Sequence, residues 1–446
     1  MQTAEFSNRG LRRLIGPLIV EQLLAITVGL ADSMMVAQVG EAAVSAVSLV
    51  DSVNILLING FAALATGGAI VAGQYLGRRE PERAGRAAWQ LLLFLGESSL
   101  GVTALLYLLR NVILHRVFGA IAPDVAAYAN TYFLIVEAST FFLAIYSAGA
   151  ALFRVMGNSR VSMWVSLLMN AVNVTGNAVL IFAVHMGVEG VAIPTLVSRI
   201  VAAGVIWALL LRPGLAIRLE RPLRWRHERI MIHNILTLAV PNGIEGCMFQ
   251  LGKILLLSVV TAFGTASVAA NAVGNVVTSF QVLAANAIGL GMVTVVSRCV
   301  GAGDYARARS YIRKLLVWAY GSVWLLSAAT ILLTPVILRI YGLSAEASGY
   351  ARTIILLHGL VGMAIWPASF TLPQGLRAAG DTRFTMFVSS ASMWVCRVVL
   401  GVVLARTFQM GVLGTWYAMF LDWAVRMGIY IARYRGHRWE LKALRE

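Results

Sequence analysis

The amino-acid sequence predicts an all-α integral membrane protein of twelve transmembrane helices in two pseudo-symmetric six-helix bundles. Three observations predict it. The 446 residues are 59% hydrophobic and only 13% charged, whereas a water-soluble domain carries about 25% charged residues. The apolar residues come in long blocks, and about 20 such residues cross the hydrocarbon of a bilayer. The blocks are continuous rather than alternating. In lipid a continuous block satisfies its own backbone groups only as a helix, and a barrel strand would alternate.

In the first half the predicted spans are 14–37, 43–76, 88–109, 125–153, 161–184 and 188–211. In the second they are 231–260, 266–300, 314–340, 346–373, 384–406 and 411–434. The first block carries Glu21 and Asp32 and lacks a small-residue cleavage site, so it is expected to stay rather than be cleaved as a signal peptide. Basic residues set the orientation. Of the 36 Lys and Arg, 27 fall in segments on the side of the N-terminus, 5 on the other side and 4 inside spans. That bias predicts both termini to be cytoplasmic in a cell inner membrane.

The polar stretch 212–230 separates an N-lobe, 1–211, from a C-lobe, 231–446, that ends in a basic tail. The two lobes are repeats. A shift of 224 residues maps Pro17 to Pro241, Glu21 to Glu245, Gly40 to Gly264, Gly77 to Gly301 and Arg83 to Arg307. It also maps Met186-Gly187-Val188 to Met410-Gly411-Val412, and one gap aligns FRVMGNSR (153–160) with LRAAGDTR (376–383). Each repeat has an even number of spans, so both enter from the same side. Such parallel repeats place substrate between the lobes and work by rocking one against the other.

Composition also excludes functions. The net charge of +16 sits in short loops between apolar blocks, as topology requires, and not in a nucleic-acid-binding arm. Cys247, Cys299 and Cys396 match neither a metal spacing nor a disulfide framework. No Walker A, HExxH or GxSxG pattern occurs, so neither ATP-driven transport nor an enzyme is expected, and no cofactor beyond a coupling ion.

The stretches PLIVEQLLAITVGLADSMMVAQVG (17–40), GQYLGRREPERAGR (73–86) and its counterpart SRCVGAGDYARARS (297–310), with the twice-seen Arg-x-x-Gly-polar-Ser/Thr-Arg loop, resemble the multidrug and toxic compound extrusion (MATE) transporters. The resemblance covers about 14–435. It implies export of diverse, often cationic, amphipathic drug-like or metabolite molecules by a lipid-embedded monomer, driven by inward Na⁺ or H⁺. A lipid-linked precursor flippase of the related superfamily is the alternative, and it would need a strongly basic central cavity.

A charge inside hydrocarbon costs about 3 kcal/mol or more and is a functional candidate by default. Asp32, Asn173, Asn177 and Thr195 lie at a common depth in the first, fifth and sixth blocks, in the half opposite the N-terminus. They could couple transport by binding Na⁺ through hard oxygens or a proton on the acid. The less favoured reading is a buried polar network that pins three helices. Some members of the family carry a second acid where Asn177 stands. The C-lobe equivalents are Leu256, Arg397, Gly401 and Met419, so the cluster is not duplicated.

Glu21 and Glu245 each follow a helix-opening proline by four residues, and either gate the inner side or orient the helix starts. Some members carry an acid where Phe249 stands. Lys253 and Arg397 lie inside C-lobe blocks, and Asp51, Glu97, Glu137 and Asp422 are read mainly as neutralising buried bases. Met35, Asp51, Met248, Phe280, His358, Trp366 and Phe370 are candidate lining of a broad cavity, since methionine and aromatic side chains suit promiscuous binding.

Overall fold

A computed structural model of the chain describes residues 6–117, 122–219 and 225–442. Among them every regular element is helical. In the first half α1 spans Asn8–Ala37, α2 Glu41–Gly77 and α3 Pro81–Arg116. Next come α4 (Pro123–Glu137), α5 (Thr140–Val155), α6 (Ser159–Ala183) and α7 (Glu189–Leu210). The second half holds α8 (Arg229–Thr261), α9 (Thr265–Gly301), α10 (Tyr305–Tyr341), α11 (Ala345–Ala378), α12 (Thr382–Thr407) and α13 (Gly411–Arg435).

Ten of these helices are long and apolar enough to cross a membrane, and the pair α4–α5 makes an eleventh span. The twelfth is α13, whose apolar sequence is interrupted by a buried ion pair between Asp422 and Arg426, one turn apart at 2.8 Å. Many apolar side chains on the helix surfaces are bare, Leu108, Leu332 and Ile340 among them. Lipid accepts such a surface and water does not.

Three features differ from the sequence expectation. The helix α1 begins at Asn8 rather than 14, so Pro17 lies inside it, as Pro241 lies inside α8, and neither proline opens its helix. The block 125–153 is not one straight helix but bends by 45° between Glu137 and Thr140. Ser139 sits in the break, and its hydroxyl bonds back to the Val136 carbonyl at 2.5 Å. A serine that competes for backbone groups in this way favours a turn over continued helix. The helices α3 and α10 also begin about two turns earlier than expected. Pro81 is pre-set for a first helical position. Asp304 caps α10 by accepting from the Arg307 backbone N–H at 2.9 Å. Their charged first turns read as loop in the sequence.

The helices group into two compact units. One is Asn8–Gly243, and the other begins at Ile244 and takes in the short segment ending at Ser7. The division falls inside α8. Gly67 of α2 lies so close to the backbone of Ala239 that no side chain fits there, which holds the first half of α8 to the first unit. That unit has an apolar core at the end opposite the N-terminus, formed by Val36, Ala46, Val50, Phe133 and Val191. In the second unit Val273, Val277 and Ile355 form a smaller one.

Candidate functional site

Polar residues gather where α1, α6 and α7 meet in the first unit. Gly176 of α6 abuts Pro194 of α7, and a Cβ at that glycine would stand 2.7 Å from the proline Cβ. This close approach sets Asn173 and Asn177, one turn apart on α6, beside Thr195 of α7. From α1 comes Asp32, five residues before the helix ends at Ala37, or roughly 8 Å of rise.

Asn177 Nδ2 donates to Asp32 Oδ1 at 2.8 Å. With its amide nitrogen turned toward α1, Asn173 donates to Asp32 Oδ1 and Oδ2 at 3.0 and 3.2 Å, and its oxygen accepts from the Thr195 hydroxyl at 3.1 Å. Asn173 and Asn177 are buried, and Asp32 and Thr195 are half-buried. All four residues singled out from the sequence therefore lie in one hydrogen-bonded group. No base stands within ion-pair distance of Asp32 among the described residues. Asn177 Oδ1 is buried and lacks a hydrogen-bond partner. Buried oxygens are rarely left so, and a cation or a donated proton would satisfy this one.

The charge on Asp32 and the orientation of Asn173 are linked. An ionised carboxylate only accepts, so it requires the amide nitrogen. A protonated one donates, and the Asn173 oxygen can then turn to it. The Asn173 nitrogen then donates to Thr195 Oγ1 at 3.1 Å, and the Thr195 hydroxyl donates to the Val191 carbonyl at 2.9 Å. Both arrangements satisfy the Asn173 amide and the Thr195 hydroxyl, and neither supplies a donor to Asn177 Oδ1. Oxygens from a carboxylate, two amides and a hydroxyl also suit a hard monovalent cation.

A second buried network lies in the same unit. Arg199 of α7 donates to Ser139 Oγ at 2.7 Å and to Asn54 Oδ1 at 3.2 Å. Asp51 accepts from the Tyr132 hydroxyl at 3.2 Å, and Glu137 accepts from Thr140 at 3.1 Å. Asn54, Tyr132 and Ser139 escaped sequence reasoning. Their one signal was that Asn54 follows Asp51 by three residues, on the same helix face.

The remaining predicted residues are placed as follows. Glu21 pairs with Arg154 at 3.1 Å and accepts from Ser162 at 2.9 Å. Glu245 pairs with Arg377. The same clamp thus occurs in each repeat, and each clamp joins helices of its own unit. Glu97 contacts His227 at 3.3 Å. Met35 packs against the apolar core of the first unit. Met248 and Phe280 are half-buried. His358 is buried, 2.6 Å from Gln281 Oε1 and edge-on to Trp423, as a hydrogen-bonded core histidine is. Trp366 and Phe370 stack with ring centroids 5.0 Å apart. Arg397 and Arg426 lie over the ring of Phe249 at 5.3 and 5.7 Å. Cys247, Cys299 and Cys396 are free, and the described residues hold no cluster of three or more His, Cys, Asp or Glu fit for a metal ion.

Comparison with known proteins fits this duplicated design. The MatE family model matches twice, over residues 17–179 and 241–403, a spacing of 224 residues. An uncharacterized transporter of Bacillus subtilis, YisQ, is 25% identical over 438 residues, covering 96% of this chain and 94% of that protein. A probable multidrug resistance protein, NorM, of Thermotoga maritima is 24% identical over 98% of this chain and 94% of its own. The fold matches that of a solved outward-facing multidrug resistance MATE family transporter with a TM-score of 0.87, at 18% identity over 96% of this chain and 94% of that one. The two matches of the family model together span well over half the sequence, and the chain belongs to the MATE family of membrane transporters.

Proposed function

We propose that the chain is a secondary antiporter of the cell inner membrane, with both termini cytoplasmic. It exports amphipathic drug-like or metabolite molecules in exchange for one inward monovalent cation, Na⁺ or H⁺. The observation that carries this reading is the Asp32 carboxylate, held by Asn173 and Asn177 without a countering base. With one carboxylate in the group, one positive charge is neutralised in each cycle.

Cation uptake at Asp32 turns or ligates Asn173 and so reaches Thr195, coupling α1 to α6 and α7. A ligand shifts a conformational equilibrium by its difference in affinity for the two states. The ion-loaded group favours the state that releases substrate outside. The ion-free group favours the state that accepts substrate inside, as the two lobes rock.

Dye efflux from proteoliposomes, under a Na⁺ gradient and a pH gradient imposed separately, tests the proposal. One of the two gradients drives efflux in the wild type, and neither does in Asp32→Asn. Full gradient-driven efflux in Asp32→Asn, with protein folded in the membrane, refutes the role given to this side chain.

A further inference from the structure

The second unit holds a pocket at the place that answers to Asp32. The 224-residue shift maps Asp32 to Leu256, Asn173 to Arg397, Asn177 to Gly401 and Thr195 to Met419. The correspondence holds in space. Asn177 touches Asp32, and a Cβ on Gly401 would stand 3.0 Å from the Leu256 side chain. Leu256, Arg397 and Met419 line a cavity of about 190 Å³ together with Lys253, Gln250 and Asn271. Where the first unit has an acid, this one has a leucine. Where the first has an amide, this one has a guanidinium, and a lysine stands one turn before the leucine.

Among the described residues these two bases form no ion pair: neither Lys253 nor Arg397 has a carboxylate within ion-pair distance. The acid on the neighbouring α13, Asp422, lies beyond ion-pair distance of both, and its Oδ1 is engaged by Arg426 at 2.8 Å and by the Ser392 hydroxyl at 2.5 Å. Arg397 Nε is buried and has no hydrogen-bond partner. Snorkelling to the bilayer surface does not account for both. Lys253 lies eight residues from the end of α8 and Arg397 ten from the end of α12, roughly 12 and 15 Å of rise. Arg397 also sits in a widened π-helical turn, Met393–Val399, a backbone form that recurs at functional sites.

The donors converge. Trp416 Nε1 donates to Asn271 Oδ1 at 3.2 Å, so the Asn271 oxygen is occupied and its amide nitrogen remains to donate. A guanidinium, an ammonium and carboxamides around one cavity match a carboxylate, sulfonate or phosphate. Its volume is below the roughly 300 Å³ at which drug-sized sites begin. It therefore fits a charged head group and not a whole amphipathic molecule.

We propose that this pocket binds the anionic head group of an amphipathic solute, so that amphipathic anions belong to the exported class. The transport direction rests on the exporter reading; the binding does not. The test is fluorescence anisotropy of purified protein in nanodiscs of zwitterionic lipid, with carboxyfluorescein and with the rhodamine methyl ester cation, two dyes that share a ring system and differ in charge. Carboxyfluorescein binds saturably. Its affinity falls about tenfold or more in Arg397→Gln and again in Lys253→Gln, and Lys253→Glu weakens it further. Lys253 is exposed on its unit, so its variants keep the test available if Arg397→Gln fails to fold.

Three results overturn the proposal: no saturable carboxyfluorescein binding, equal affinity in wild type and variants, or displacement of the dye when phosphatidylglycerol is added to the nanodiscs. The last would give the pocket to a lipid head group. The measurement uses no ion gradient. A chain that binds the dye but pumps under neither gradient refutes the exporter reading alone.

Discussion

The two units place opposite chemistry at equivalent positions. In the first, Asp32 accepts from two amides of α6 and faces no base. In the second, Leu256 stands in the acid's place and Arg397 in that of the first amide, with Lys253 beside them and, among the described residues, no carboxylate within ion-pair distance of either base. The clamps Glu21–Arg154 and Glu245–Arg377 are, by contrast, duplicated. Duplication therefore kept what holds helices together and let the buried polar positions diverge. A charge in hydrocarbon is a functional candidate by default, and under the two proposals the divergence is a division of labour: one pocket for the driving cation, one for the cargo.

Substitutions that erase the difference break this comparison most severely. Asn173→Arg gives the first pocket the base of the second. The guanidinium pairs with Asp32 and keeps it ionised and occupied, and gradient-driven dye efflux falls about a hundredfold. Asn177→Asp sharpens the comparison by adding a second acid. The attraction for a cation rises with it, and the ion concentration for half-maximal efflux falls about tenfold.

Smaller effects are expected on packing. Gly176→Ala drives a methyl group into the Pro194 ring and costs about 1–3 kcal/mol, read as a lower melting temperature in detergent. Gly401→Ala meets the mobile end of Leu256 and costs less. Glu21→Gln and Glu245→Gln each leave a half-buried arginine without its charge partner, about 1–2 kcal/mol. The clamps are equivalent, so the two melting temperatures fall by similar amounts.

Much of this fold is legible in the sequence, because a bilayer demands long apolar helices and basic loops report their ends. The bend at Ser139 is not legible. Ala138 and Ser139 are small residues between Glu137 and Thr140, and the Ser139 hydroxyl's bond to the Val136 carbonyl at the break carries no sequence signature, since Ser52 and Ser99 make the same bond inside unbroken helices. The early starts of α3 and α10 are hidden by the charge of their first turns. In the first pocket, Asp32, Asn173, Asn177 and Thr195 stand out as polar residues at one depth. Asn271 does not stand out in α9, where Asn275 follows one turn on and donates to its carbonyl at 2.8 Å, because such amides in an apolar helix more often serve packing. Its part in a pocket depends on Trp416, 145 positions away.

The central claim is that Asp32 takes up the cation that drives export. The most direct measurement counts ion and dye together in the same proteoliposomes, for wild type and Asp32→Asn. The account predicts one monovalent cation entering for each dye molecule that leaves in the wild type, with both fluxes at background in the variant. Ion-driven dye efflux that persists at the wild-type rate in Asp32→Asn would contradict it.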